Sequence, residues 1–271
     1  MSFRLAAFSL VVLAAAAACS DEVPSTPDGG SSSSGGSSSS SGGSSSSSGG
    51  SSSSSSSSGG SSGSSGGDGG IDFAEVTGFG ANPGGLKMFL HAPPRAAAGA
   101  GVVVVLHGCT QTAADARAIG WESLADARGF YVAYAEQTTA NNASRCFRWW
   151  EPAQTQRGGE AASIASMAEY VATKYGTTRA FVTGLSSGGA MTVALLANYA
   201  DRFSAGSVFA GIPYGCATSL FESIGCTSGV SKSADAWGTL VRDALGANPA
   251  PRIQLWQGSA DFTVRPANLP E

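Results

Sequence analysis

Histidine is almost missing from this chain: two among 271 residues, His91 and His107. There is no Cys-x-x-Cys pair either, so the usual zinc-ligand spacings are absent and no metal site is expected. Charge is scarce as well. Charged residues make up 13% of the chain at a net charge of -4, and Lys and Arg form no basic stripe, which argues against a nucleic-acid partner. The apolar run Leu5–Ala18 is too short to span a membrane. It follows a single cation, Arg4, and reads as an export signal covering residues 1–19. Ala16-Ala17-Ala18-Cys19 resembles a lipobox, with Cys19 as the residue to carry the lipid, although Leu is more usual three positions before the Cys. Ordinary signal cleavage is the alternative.

Apolar side chains are also lacking between Ser20 and about Gly70, where Ser and Gly fill nearly every position. Ordering such a segment costs backbone entropy with no burial to offset it, so residues 20–70 read as a tether. Random-coil scaling for a Gly-rich chain gives it an r.m.s. span of about 40 Å. The remaining stretch, Ile71–Glu271, is long enough for one domain with a sizeable core. With Cys19 set aside, four cysteines remain in this exported part, and an even number in an oxidising compartment favours disulfides. Cys216–Cys226 would close a short Gly/Ser-rich loop and Cys109–Cys146 would tie two loops together. This pairing is preferred over the two other connectivities.

Within the folded part, short apolar runs alternate with helical patterns, the signature of a mostly parallel sheet with helices on both faces. The strongest run, Gly101–Leu106, is continuous, as a strand buried on both sides should be. Further strands are expected over Phe130–Ala133, Arg179–Thr183, Ala205–Ala210 and Arg252–Trp256. Phe73–Phe79 and Lys87–Leu90 look like an opening antiparallel pair. Helices are expected over Ala113–Arg128, Glu160–Tyr175, Gly189–Tyr199 and Ser233–Leu245. The second places Ile164, Met167 and Val171 on one face and stops at Gly176; the third is apolar nearly all round and should be buried. The long connection Glu136–Gly158 marks a candidate cleft wall.

Gly184-Leu185-Ser186-Ser187-Gly188 matches G-x-S-x-G, as do Gly59–Gly63 and Gly63–Gly67. Only Ser186 follows an apolar strand and precedes an Ala-rich helix, so only there can a tight turn expose the hydroxyl as a nucleophile. Donors for a tetrahedral oxyanion are expected from the backbone amides of Cys109, in the loop leaving the strongest strand, and Ser187. Asp261 follows the last strand, where catalytic groups of open α/β sheets collect, and would orient a histidine. In an α/β-hydrolase the order is Ser, Asp, His, and no histidine follows Asp261. His107 is expected to pack or hydrogen-bond beside its turn, and His91 to lie at the surface.

The segments Val104–Asp115, Cys146–Pro152, Gln156–Met167, Phe181–Thr192, Ala210–Ala217 and Trp256–Asn268 together resemble esterases of the poly(3-hydroxybutyrate) depolymerase type, related to bacterial feruloyl and acetylxylan esterases. The resemblance runs from about Leu86 to Asn268. It implies an α/β-hydrolase fold with Ser186 as nucleophile, Asp261 as acid, and amides near Cys109 and Ser187 as the oxyanion site. It also places Trp149, Trp150 and Tyr214 along an acyl or polymer groove, with core packing as the alternative. Members of the family continue past Asp261 to a further strand and a histidine-bearing loop. The domain, residues 71–271, is therefore expected to lack the final strand and helix, to leave Arg252–Trp256 as a sheet edge, and to be nearly inactive as written. A gene fragment is preferred over a truncated product or a non-catalytic descendant.

The resulting expectation is an exported serine ester hydrolase, extracellular or held as a cell-envelope lipoprotein. It needs no cofactor, touches the membrane only through an N-terminal lipid anchor, and takes an ester, polyester or plant-wall polysaccharide ester as substrate. The alternative is a surface-tethered polymer-binding module without chemistry; a peptidase on the same scaffold is weaker.

Overall fold

The computed structural model describes residues 70–270. The signal, the Cys19 lipidation site, the tether to Asp68-Gly69 and the two additional G-x-S-x-G matches lie outside the described residues.

Seven strands form one sheet: β1 (Ile71–Val76), β2 (Lys87–Ala92), β3 (Val102–Leu106), β4 (Tyr131–Glu136), β5 (Ala180–Leu185), β6 (Phe203–Phe209) and β7 (Arg252–Trp256). Their order is β1-β2-β4-β3-β5-β6-β7. The β1–β2 and β2–β4 pairs are antiparallel and all others parallel.

Strand alternation sorts side chains to two covered faces. Val102, Val104 and Leu106 of β3 join one core with Ile164, Met167 and Val171 of helix α4 (Gly159–Tyr175) and Met191 and Leu195 of helix α5 (Ser187–Asn198). Val105 joins Val132, Tyr134, Ala113, Ala116 and Ala125 on the opposite face. Each fully buried Val or Leu contributes about 1.5–3 kcal/mol, so β3 is anchored from both sides. Helix α5 is buried almost throughout, as its all-round apolar pattern requires.

The expected helix over 113–128 is instead two helices, α1 (Ala113–Arg117) and α2 (Trp121–Arg128). A capping box between Thr112 and Asp115 starts α1, and Gly120 at φ 98° supplies the left-handed turn that ends the register before α2 begins. Three further elements went unread in the sequence: α3 (Pro152–Thr155) in the long connection, α6 (Leu220–Thr227), and a 3-10 turn at Pro266–Asn268. Helix α6 occupies the stretch taken for a Gly/Ser-rich loop; Ser219 caps it by accepting from the Glu222 amide. The last helix, α7, spans Ala234–Leu245. Strand β7 has the expected bounds, and all five of its residues are exposed.

Both disulfides join the expected partners, Cys109–Cys146 and Cys216–Cys226. His91 departs from expectation. It is 5% exposed, and its Nε2 lies 2.8 Å from Oδ1 of Asp126 on α2, because strand β2 turns it beneath that helix.

Candidate active site

The turn from β5 into α5 is built on close backbone approach. A Cβ at Gly184 would lie 2.3 Å from the Gly188 carbonyl oxygen, and one at Gly188 would lie 2.5 Å from the carbonyl oxygens of Leu106 and His107. Only hydrogen fits at either place. Between them Ser186 takes φ 56°, ψ −117°, a conformation that costs a non-glycine residue about 1–3 kcal/mol. The packing holds it there, and the Ser186 amide donates to the Phe209 carbonyl at 2.9 Å, extending the β5–β6 ladder one step past the strand. Ser186 remains partly exposed.

The loop leaving β3 lies against this bend. A Cβ at Gly108 would be 3.5 Å from the Leu185 carbonyl oxygen and 3.6 Å from Cβ of Ser186. The Gly108 amide donates to Oε1 of Gln111 at 2.7 Å, and the Thr110 amide to the Ser144 carbonyl at 2.6 Å. The Cys109–Cys146 bridge ties the same two loops covalently. Among the described residues, neither the Cys109 nor the Ser187 amide donates to a protein acceptor.

His107 fixes the base of this loop. Its Nδ1 lies 2.6 Å from the Gly108 carbonyl and its Nε2 accepts from the Gln137 amide at 3.0 Å, so the ring is neutral with the proton on Nδ1. Burial pushes its pKa below the usual 6.5, against a smaller opposing effect from the bond to Gly108. Both nitrogens are committed away from Ser186.

Behind the loop lies a network that sequence reasoning missed. Glu160, fully buried on α4, accepts from the Arg148 amide at 2.7 Å, from Nε of Arg148 at 2.8 Å and from Nε2 of Gln137 at 2.6 Å. Gln137 also donates to the Cys146 carbonyl at 3.3 Å. Burial raises the Glu160 pKa, opposed by the hydrogen bonds from Arg148 and Gln137. The available signal was a carboxylate on the apolar face of a helix in one resemblance segment and a guanidinium in another.

Asp261 lies in the turn after β7, partly buried. Its Oδ1 accepts from the Thr263 and Val264 amides, each at 2.9 Å, and its Oδ2 from Nε2 of Gln257 at 3.2 Å. It and Ser186 share the carboxyl-end side of the sheet: Leu185 pairs with Phe209, Phe209 pairs with Trp256, and the Ala210 amide donates to the Trp256 carbonyl at 2.8 Å.

Trp149 packs edge-on against Trp150, ring centroids 5.6 Å apart. Trp150 is buried in a small core with Ala190, Ile212 and Val264. Trp149 and Tyr214 line a cavity of about 560 Å³ with Arg157 and Asn198, and Ser186 is not among its lining residues. A second, mostly apolar cavity of about 340 Å³ borders the bend through Leu185, Phe209, His107 and Gln111.

A strained serine between a buried strand and a buried helix, with an amide-bearing loop pressed against it, is the arrangement of a nucleophile elbow. Residues 86–253 match the family described as Esterase PHB depolymerase. The chain belongs to that esterase family. It is similar to poly(3-hydroxyalkanoate) depolymerase C of Paucimonas lemoignei, 45% identical over 203 residues, which cover 73% of this chain and 49% of that protein. Feruloyl esterase B of Talaromyces funiculosus is 32% identical over 209 residues, covering 72% of this chain and 58% of that protein. The solved acetyl xylan esterase from Aspergillus awamori superposes with a TM-score of 0.66 at 29% identity, covering 73% of this chain and 76% of the other. The chain thus has the α/β-hydrolase fold of this esterase family, and it spans about half the length of the first curated relatives it matches. Among the described residues, no helix is long and apolar enough to cross a membrane.

Proposed function

We propose that the domain at residues 71–271 is the core of an exported serine carboxylic-ester hydrolase acting on polyhydroxyalkanoate, acetyl-sugar or feruloyl esters. The observation that carries this reading is Ser186, partly exposed at φ 56° between two glycines that admit no side chain. In the proposed reaction the Ser186 oxygen adds to the ester carbonyl, and its proton passes to an imidazole held by Asp261. The oxyanion takes hydrogen bonds from the Cys109 and Ser187 amides. Collapse expels the alcohol, which receives the proton, and leaves an acyl-serine. Water, deprotonated by the same base, then releases the acid and restores the hydroxyl. Trp149 and Tyr214 contribute a wall for the polymer or aryl chain. Export and lipid attachment at Cys19 belong to the same proposal.

Both histidines of the sequence are engaged elsewhere, His107 with Gly108 and Gln137 and His91 with Asp126. The 271-residue chain alone therefore has a nucleophile and an acid without a base. Loss of one triad member removes roughly 10⁴–10⁶ in rate and leaves roughly 10³–10⁴ over water. Release of p-nitrophenol from the acetate and butyrate esters tests this. We expect slow turnover that rises with added imidazole, and a rise that disappears in Ser186→Ala. Turnover by the unassisted chain at rates of ordinary esterases refutes the inactivity, and imidazole-dependent turnover equal in Ser186→Ala refutes the nucleophile. The commitment of both histidines also favours a second reading, polymer binding without chemistry. Retention of the chain on polyhydroxybutyrate granules or xylan, undiminished by Ser186→Ala and with no turnover even in imidazole, would establish it.

A further inference from the structure

On the far side of β4 from that site, buried polar atoms meet without partners. A ring nitrogen of His91, a carboxylate oxygen of Asp72 and a carboxylate oxygen of Glu122 lie within 4.8 Å of one another. Nε2 of His91 is 2.8 Å from Asp126, and a carboxylate only accepts, so Nε2 carries a proton, and in the neutral ring Nδ1 keeps a free lone pair. Nδ1 of His91 and Oε1 of Glu122 are both buried with no hydrogen-bond partner. The hydroxyl of Tyr134, which feels the charges of Glu122 and Arg117, is likewise buried and unpartnered. Native proteins seldom leave one such atom unpaired, and here three belong to one neighbourhood.

The fold brings these groups together from three elements. Asp72 lies in the irregular stretch between Ile71 and Ala74 where β1 shifts register against β2, beside Phe73 at φ 45°. A bulge of this kind re-aims a side chain. His91 stands two residues beyond Phe89 on β2, on the face covered by α1 and α2. Glu122 lies in the first turn of α2, and Asp126 follows one turn later. Arg117 bonds one oxygen of Asp72 and Oε2 of Glu122, leaving the other oxygen of each carboxylate open. One guanidinium among the carboxylates of Asp72, Glu122 and Asp126 leaves negative charge uncompensated.

We propose that Nδ1 of His91, Oε1 of Glu122 and a carboxylate oxygen of Asp72 form a three-ligand Zn²⁺ site with water in the fourth position, with Asp126 orienting the imidazole from behind. One imidazole with carboxylates suits zinc, whereas calcium and magnesium take oxygen ligands alone. A carboxylate on the second nitrogen of a ligating histidine fixes its tautomer and raises its basicity, the role Asp126 is placed to fill. The ion neutralises the excess negative charge and ties the edge strand β1 to β2 and α2. The expectation of no metal rested on the absence of a Cys-x-x-Cys pair and on the scarcity of histidine; one histidine with carboxylates from separate segments matches no spacing motif.

The test is titration of the full chain, after chelator treatment, with Zn²⁺ alone by calorimetry and with Co²⁺ by visible absorption. One tight equivalent of Zn²⁺ is expected, together with a Tm raised by Zn²⁺ and not by Ca²⁺. Asp72→Asn alters an exposed group and Glu122→Gln keeps the side-chain shape, so both should fold; each weakens binding at least about tenfold, and Asp126→Asn weakens it roughly 10–100-fold. His91→Gln removes it. The absence of a stoichiometric Zn²⁺ equivalent overturns the proposal, and so does binding that persists unchanged in any one of the Asp72, Glu122 or His91 variants.

Discussion

The loops that carry Ser186 and Asp261 are held in opposite ways. Ser186 is fixed largely by tertiary packing: Gly188 abuts the Leu106 and His107 carbonyls, α5 is buried almost throughout, and a disulfide and the pair of buried Glu160 with Arg148 brace the neighbouring loop. Asp261 is fixed locally, by the amides of Thr263 and Val264 and the side chain of Gln257 in its own turn. The strand beneath it is open, with Ile253, Leu255 and Trp256 at 47, 42 and 54% exposure. One sheet can therefore present two polar side chains of very different mechanical standing. Ser186 answers to backbone volume, and Asp261 to the chemistry of one short turn.

The sharpest break of this contrast is a pair of glycine substitutions. Gly188→Val should destabilise by about 4 kcal/mol or prevent folding, since its side chain meets the Leu106 and His107 carbonyls, whereas Gly258→Ala should stay within about 0.5 kcal/mol, its Cβ meeting nothing nearer than 3.7 Å. Urea midpoints of the two variants decide it; equal costs would erase the distinction. Next come the disulfides. Replacing Cys109 and Cys146 by alanine should cost about 3–4 kcal/mol, and replacing Cys216 and Cys226 about 2.5–3, from sequence separations of 37 and 10. Reversal of that order would mean that native strain, not loop closure, dominates.

A pH profile sharpens the picture on the Ser186 side. His107 is kept neutral in the folded chain by burial, while the unfolded chain takes up a proton below 6.5. Its contribution is whole above that pH and lost as pH falls toward the lower folded value, with a slope of at most about 1.4 kcal/mol per unit. His107→Asn should flatten the profile below about pH 6.5 even where it lowers overall stability. The smallest effect belongs to the open edge. Ile253→Lys should alter stability by less than about 0.5 kcal/mol yet lower light scattering on storage, because exposed apolar edge strands recruit other chains. Loss of folding in this variant would show that the edge is covered after all.

What could be read from the sequence follows the same division. Strands buried on both faces, such as β3, announce themselves by continuous apolar runs, and the bounds of β7 were read in the same way. The turn at Ser186 was legible because, of the three matching pentapeptides, it alone follows an apolar run and precedes an Ala-rich one in the sequence. Interruptions were harder. Gly120 breaks an otherwise continuous helical pattern, and a lone glycine inside such a pattern is often tolerated. The burial of His91 and Glu160 escaped notice because their partners, Asp126 and Arg148, become neighbours only after the sheet and helices have packed. Trp149 and Trp150 adjoin in sequence, yet one lines a cavity and the other fills a core. Composition offers no way to tell them apart.

The ladder that continues past the strands has a mechanical meaning. The Trp256 carbonyl holds the Ala210 amide, and the adjoining Phe209 carbonyl holds the amide of Ser186. The edge strand of the described sheet is thereby linked to the Ser186 backbone through two peptide bridges with no side chain as intermediary, so exchanges of side chains along the route leave the linkage intact so long as the main chain keeps its place.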